Sequence, residues 1–343
     1  MALTDILTGL SSAIGPAGAE GSAARLAMEL LSDYAPIRTD TLGSVIAELG
    51  DTDAAEHILL DAHIDEVGMI VTSVDSDGFI HVDRCGGADR RTLVGAEVYV
   101  LGTRRLPGVV CSVPPHLSAK LDGKSPAWDK LYIDIGFSAE QARKLVPPGS
   151  RVVVRSKPCR LLGERIAGKA LDNRAGAAAL IRTVELLVSE TAPLPCRVTV
   201  VLSSREEVGG QGAEAAAYNA HPTQAIAVDV GFATQPGVSR DKAGELGKGP
   251  MIGFSPCLDH NITTRLTQLA DELEMPWQYD VMGGRTGTNA DEISISREGV
   301  PCGLVSIPQR NMHSAAEVVD ISDVEAVAQL LARYVRTGGV SNA

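Results

Sequence analysis

Glu206 and Glu207 stand side by side where an apolar run, Val198-Thr199-Val200-Val201-Leu202, gives way to the glycine-rich turn Val208-Gly209-Gly210-Gln211-Gly212. A carboxylate at the end of a buried strand needs a partner that offsets its desolvation. The chain carries further imidazole and carboxylate groups in comparable settings. His63 and Asp65 follow Ile58-Leu59-Leu60, Asp172 precedes a helical stretch, Asp229 interrupts Ala225-Ile226-Ala227-Val228-Asp229-Val230, and His313 follows another strand-like run. These are metal-ligand types, and metal-assisted hydrolysis is chemistry they would support.

Taken singly, each residue has a plainer reading. His63 reads as a hydrogen-bonded structural histidine, Asp172 as a helix cap, and Asp229 as a buried acid met by backbone donors or an arginine. His313 reads as a surface-loop residue and the glutamate pair as a solvated corner. Asp65 strengthens His63, because residues two apart on an extended chain face the same way. Its carboxylate can hold one imidazole nitrogen while the other binds metal. Glu206 and Glu207, being successive, point in different directions, so one can ligate while its neighbour reaches a bound water.

Charge favours the joint reading. Asp172, Glu207 and Asp229, with a bridging hydroxide, balance two divalent ions; without metal, those acids and Glu206 would repel one another and some would hold protons. Imidazole and carboxylate without thiolate suit Zn²⁺, Co²⁺ or Mn²⁺, and spacing does not choose among them.

The elements that must position these groups alternate. Ile6, Leu7, Leu10 and Ile14 share a helical face, a second helix is predicted over Ser22 to Tyr34, and strands follow near Ser44–Glu48 and His57–Ala62. From about Val74 to Glu164 short β-like runs (Gly78–Val82, Glu97–Leu101, Gly108–Val113, Leu131–Ile135, Arg151–Arg155) are punctuated by Gly-Gly, Pro-Pro and Asp-Gly, with no convincing helix. That texture predicts a small all-β barrel. After about Gly168 alternation resumes, with helices near Asp172, Thr263–Glu274 and Ala290–Glu298 and strands at Val198, Ala225 and Cys302–Ile307. Ser322 with Glu325 predicts a capping box for a last helix. The fold expected is therefore α/β, with residues 1–73 and 165–343 forming one domain interrupted by a β insertion at 74–164. In such sheets the carboxyl ends of strands line the binding crevice, which is where the candidate ligands fall.

Composition narrows the function. A chain of 343 residues with 44% hydrophobic and 22% charged residues describes a folded globular protein of about two domains. The net charge of −12 lacks the basic footprint that nucleic acid requires. No apolar run reaches the roughly 18 to 20 residues that span a bilayer, and Met1 to Ala13 carries no export signal, so neither membrane nor secretion is expected. Six scattered cysteines without a Cys-x-x-Cys pair suit a reducing cytoplasm. Aromatics at 3% leave few platforms for stacking glycans or single-stranded nucleic acid.

In their order, His63-Ile64-Asp65-Glu66-Val67-Gly68, Lys169-Ala170-Leu171-Asp172-Asn173-Arg174-Ala175-Gly176, Glu206-Glu207-Val208-Gly209, Val228-Asp229-Val230 and Met312-His313-Ser314 resemble the tetrahedral aminopeptidase family, which includes glutamyl and deblocking aminopeptidases. The likeness extends to Pro114-Pro115-His116-Leu117 and Leu131-Tyr132-Ile133-Asp134-Ile135-Gly136. It implies a three-layer α/β/α catalytic domain of the zinc-peptidase type, a barrel used in assembly and substrate access, and dimers that build a dodecamer. It further implies a cocatalytic metal pair, with His63 and Asp229 on one ion, Glu207 and His313 on the other, Asp172 bridging, Glu206 as general base and Asp65 as partner of His63. The activity expected is release of the N-terminal residue from peptides with a free amine, by a metal-bridged water. The alternatives are a carboxypeptidase or deacylase on the same scaffold, or a non-catalytic shell protein with structural metals. Arg285, Arg310 and His116 are candidate substrate contacts. Departures from the family pattern stand at Asn289 (usually Asp), Arg205 (usually Gln) and Asn311 (usually Tyr), and bear on substrate preference.

Overall fold

The computed structural model describes residues 1–114 and 125–340; His116 lies outside them. Helices α1 (Leu3–Ser12) and α2 (Gly21–Leu31) lead into strands β1 (Ile37–Thr39), β2 (Val45–Leu49) and β3 (His57–His63). Next come β4 (Gly68–Val74), β5 (Ile80–Cys85), α3 (Arg90–Leu93), β6 (Glu97–Leu101), β7 (Arg105–Val110), β8 (Tyr132–Asp134), α4 (Ala139–Leu145) and β9 (Arg151–Val154). The chain continues through β10 (Cys159–Arg160), β11 (Arg165–Gly168), α5 (Leu171–Ser189), β12 (Arg197–Ser203), α6 (Gln211–Ala220) and β13 (Gln224–Phe232). It finishes with β14 (Met251–Phe254), α7 (His260–Glu272), β15 (Gln278–Val281), α8 (Asn289–Ser294), β16 (Cys302–Gln309), β17 (Glu317–Asp320) and α9 (Ile321–Arg336).

Eight strands form one sheet in the order β1-β2-β12-β3-β13-β16-β14-β15. Its centre, β12-β3-β13-β16, is parallel, and parallel strands covered on both faces read as continuous apolar runs. Alternation still sorts the faces. Ile58, Leu60 and Ala62 of β3 enter the core shared with α1, α2, α5, α7 and α9, while Leu59 joins α6 and α8 on the other side. The result is three layers, α/β/α. Each fully buried leucine of this kind contributes about 2 kcal/mol.

Strands β4-β5-β8-β7-β6-β9 close into a barrel, with Met69, Val82, Val98, Val100, Ile133 and Val152 turned inward. Its strands occupy Gly68 to Val154, so the first begins ahead of residue 74, whereas β10 and β11 pair with β17 beside the main sheet. The segment also holds a helix that periodicity did not reveal: α4 spans seven residues with a single buried side chain, Ala142, and is fixed by the Ser138–Gln141 capping box. At the last helix the cap is Asp320, whose carboxylate accepts from the Ser322 N–H, in place of the expected Ser322–Glu325 pair. Glu325 reaches Arg182 instead, at 3.1 Å. Where the barrel leaves the sheet, Lys169 donates to the buried Glu66 carboxylate at 2.6 Å, and Gly15 N–H donates to the same group. No helix among the described residues is long and apolar enough to cross a membrane.

Candidate metal centre

Register brings the sequence-distant groups to one edge of the sheet. His63 ends β3 opposite Ser203 of β12, after which the chain turns into Glu206 and Glu207; Asp229 lies near the end of β13, opposite Ser306 of β16, and β16 runs on toward His313. All four strands point the same way, so their carboxyl ends share a crevice. Asp172 enters from the start of α5.

Asp172 occupies the middle. Its Oδ1 lies 3.1 Å from His63 Nε2 and its Oδ2 lies 3.2 Å from His313 Nε2. His63 Nε2 is 3.7 Å from Asp229 and 3.9 Å from Glu206, and His313 Nε2 is 3.5 Å from Glu207. Three overlapping ligand-like triads result, His63–Asp172–Asp229, Asp172–Glu207–His313 and His63–Glu206–Glu207, each with one atom per residue within 4.8 Å of the others. The five ligand candidates and Glu206 thus come together.

Other residues hold this arrangement. The fully buried Asp65 accepts the backbone N–H of Glu206 at 3.0 Å and of Glu207 at 3.2 Å, and sits 3.5 Å from His63 Nδ1. One carboxylate therefore orients both the imidazole and the acid pair. Asp172 is no helix cap: Asn173 takes that part, accepting from Gly176 N–H at 3.0 Å, and donates to Val228 O at 2.7 Å, one residue before Asp229. Glu317, buried at the head of β17, accepts from the N–H of Asp172 at 3.1 Å and of His313 at 2.8 Å. Gly87, from the loop after β5, accepts from His313 Nδ1 at 3.0 Å, and a β-carbon there would lie 2.7 Å from that nitrogen. Asn289 donates to Asp61 and to Ser203 beneath the site. Glu317, Gly87, Asn173 and the Asp61–Asn289 pair escaped sequence reasoning. Glu317 carried a usable signal, an acid heading the apolar Val318-Val319.

Four non-glycine residues at these junctions, Ala170, Arg205, Asn311 and His313, have left-handed backbones with φ between 55° and 62°. Each costs on the order of 1–2 kcal/mol, and such strain concentrates where function fixes geometry.

The electrostatics show what is missing from a purely organic cluster. Burial and the neighbouring Asp172 push Glu207 well above the usual carboxylate range, and burial with the same neighbour does so for Asp229 despite the opposing pull of His63. Burial works against a charged His63, yet its hydrogen bonds to Asp172 and Asp65 raise it well above an ordinary imidazole. His313 is raised by Asp172 in the same way, against its burial. Burial also raises Glu206. Glu207 Oε1 is buried without a hydrogen-bond partner, a vacancy in donors that a cation answers. Imidazole and carboxylate donors in these overlapping triads fit divalent ions.

Neither candidate substrate arginine, Arg285 or Arg310, is among the residues lining the cavity of the centre. Arg285 is engaged by Asp291 at 3.3 Å and by Glu292. Arg310 donates to Thr234 O at 2.9 Å and lines a neighbouring cavity with Arg240.

A sequence model described as M42 glutamyl aminopeptidase matches residues 43–330. The chain belongs to the M42 glutamyl aminopeptidase family. M42 membership makes it a metal-dependent aminopeptidase, a hydrolase of peptide bonds. It is 35% identical to the lysyl aminopeptidase of Pyrococcus furiosus over 89% of this chain and 88% of that one. The TET aminopeptidase of the marine sediment archaeon Thaumarchaeota archaeon SCGC AB-539-E09 superimposes with a TM-score of 0.92 at 28% identity, covering 98% of this chain and 97% of the other. The TET1 peptidase of Pyrococcus horikoshii, which can assemble into a tetrahedron or a large octahedral shell, gives 0.86 at 29% identity, with 97% and 99% covered. Covering 97–98% of this chain, the two superpositions take in both the layered α/β domain and the barrel.

Proposed function

We propose that this M42 protein removes the N-terminal residue of peptides at a centre of two divalent ions per subunit, zinc first among the candidates. His63 and Asp229 would hold one ion and Glu207 and His313 the other, with Asp172 shared. The observation that carries this reading is the placement of Asp172, whose two oxygens each face one imidazole nitrogen at 3.1 and 3.2 Å. When bound, such a pair polarises the scissile carbonyl and makes water a nucleophile near neutral pH.

The chain's own groups do the rest. Glu206 takes a proton from the attacking water on its carboxylate and returns it to the leaving amine. Asp65 keeps the Glu206 backbone and the His63 ring in place. The barrel would serve assembly and substrate access, with residues 74–164 as the inserted unit and subunits joining as dimers into a dodecamer.

The test is a panel of aminoacyl-p-nitroanilides and their N-acetylated counterparts, assayed after chelation and after adding back Zn²⁺, Co²⁺ or Mn²⁺. Cleavage of free-amine substrates alone, abolished by chelation and restored by a cation, is the expected result. Preferential cleavage of the blocked substrates would sink the reading in favour of a deacylase, and bound metal without hydrolysis would favour a structural role.

A further inference from the structure

We infer, resting on the aminopeptidase reading above, that the substrates are peptides whose first residue is uncharged and apolar, of the leucine, methionine or phenylalanine class. The cavity that holds the metal-facing groups is about 510 Å³, enough for a residue and the start of the next. Beyond the acids and histidines of the centre, the described residues lining it are uncharged. Val230, Phe232 and Met312 supply apolar surface, and Thr286 and Thr288 supply small polar rims. Phe232, at the end of β13 three residues past Asp229, is 52% exposed, a large aromatic face left open beside the chemistry. Met312 packs its inner side on the main core and immediately precedes His313. Its flexible thioether adapts to branched and unbranched side chains alike.

Neither sign of charge finds a partner there. A glutamyl carboxylate would need a cation, but among the described residues no arginine or lysine lines this cavity: Arg285 is paired with Asp291 and Glu292, and Arg310 lines the neighbouring cavity with Thr234 and Arg240. A lysyl ammonium would need a free acid. Of the acids in the cavity, Asp172, Glu207 and Asp229 would be neutralised by the cations of the centre, and Glu206 faces His63 and is committed to the proton of the attacking water. A charged side chain entering this space would lose hydration without compensation. The name glutamyl attached to the family and the name lysyl attached to a relative therefore do not describe this pocket.

The experiment uses the full-length protein loaded with each cation in turn and compares kcat/KM for leucyl, methionyl, phenylalanyl, glutamyl and lysyl p-nitroanilides. The apolar substrates are expected to exceed the charged ones by about tenfold or more, the scale at which pockets discriminate side chains. Phe232→Arg should shift the glutamyl-to-leucyl ratio upward by about tenfold within one preparation, and Phe232→Asp should do the same for lysyl. Because these are ratios, the folded fraction cancels. Equal or better turnover of glutamyl or lysyl substrates by the wild-type protein overturns the inference while leaving the aminopeptidase reading intact. Failure to release any free-amine residue under every cation overturns both.

Discussion

The barrel interior and the carboxyl edge of the main sheet are both buried, and they are built on opposite principles. Inside the barrel, Met69, Val98, Val100, Ile133 and Val152 pack in a cluster of buried apolar side chains, within strands whose ladders close the barrel. At the sheet edge, His63, Asp172, Glu207 and Asp229 crowd together, and their supports, Asp65 and Glu317, are themselves buried acids. The first region is stabilised by what it excludes from water. The second is costly as a bare cluster and becomes favourable once positive charge arrives. Stability and function have been assigned to different parts of one chain.

Four measurements would sharpen or break that division. Glu206→Gln should cut kcat by roughly 10²–10⁴-fold while metal content, read by elemental analysis, stays unchanged; full turnover would remove Glu206 as the base. Ile133→Ala in the barrel should cost about 2–5 kcal/mol in denaturant unfolding with no change in metal stoichiometry. A loss of metal in that variant would show the two regions to be one energetic unit. Glu317→Gln leaves one of two backbone N–H groups poorly met, and metal affinity by calorimetry should fall about 10–100-fold; an unchanged affinity would make the Glu317 contacts incidental. The smallest effect concerns pH. His63, His313, Glu207 and Asp229 are all raised, so each holds its proton to a higher pH than usual and must shed it to ligate. Metal uptake should therefore release protons, and affinity should rise with pH through the neutral range. Uptake heats that do not vary with buffer ionisation enthalpy would contradict this.

The same contrast explains what was legible in the sequence. The barrel's short strands and the sheet's apolar runs announced themselves by alternation and by Gly and Pro punctuation. The ligand candidates stood out because acids and histidines interrupt or terminate those runs. What the sequence concealed acts through the backbone. Gly87 is needed for a carbonyl and a missing side chain, Asn173 for a cap that frees Asp172, and Glu317 for two N–H groups on segments 141 positions apart, at Asp172 and His313. Arg285 and Arg310 show what the sequence could not give about a candidate substrate contact. A guanidinium near a site in sequence advertises charge, and geometry adds its partners: Asp291 and Glu292 for Arg285, and the Thr234 carbonyl for Arg310 Nε.

The contact between the Gly87 carbonyl and the His313 ring has an architectural consequence. Asp89 adds a second tie, donating its N–H to the His313 carbonyl at 3.2 Å. The barrel is therefore not an accessory that evolution or an engineer can trim while sparing the chemistry. Excising it would leave the His63 and Asp229 half standing and free the His313 half of both ties, so a displacement of the loop after β5 is felt directly at the reacting centre.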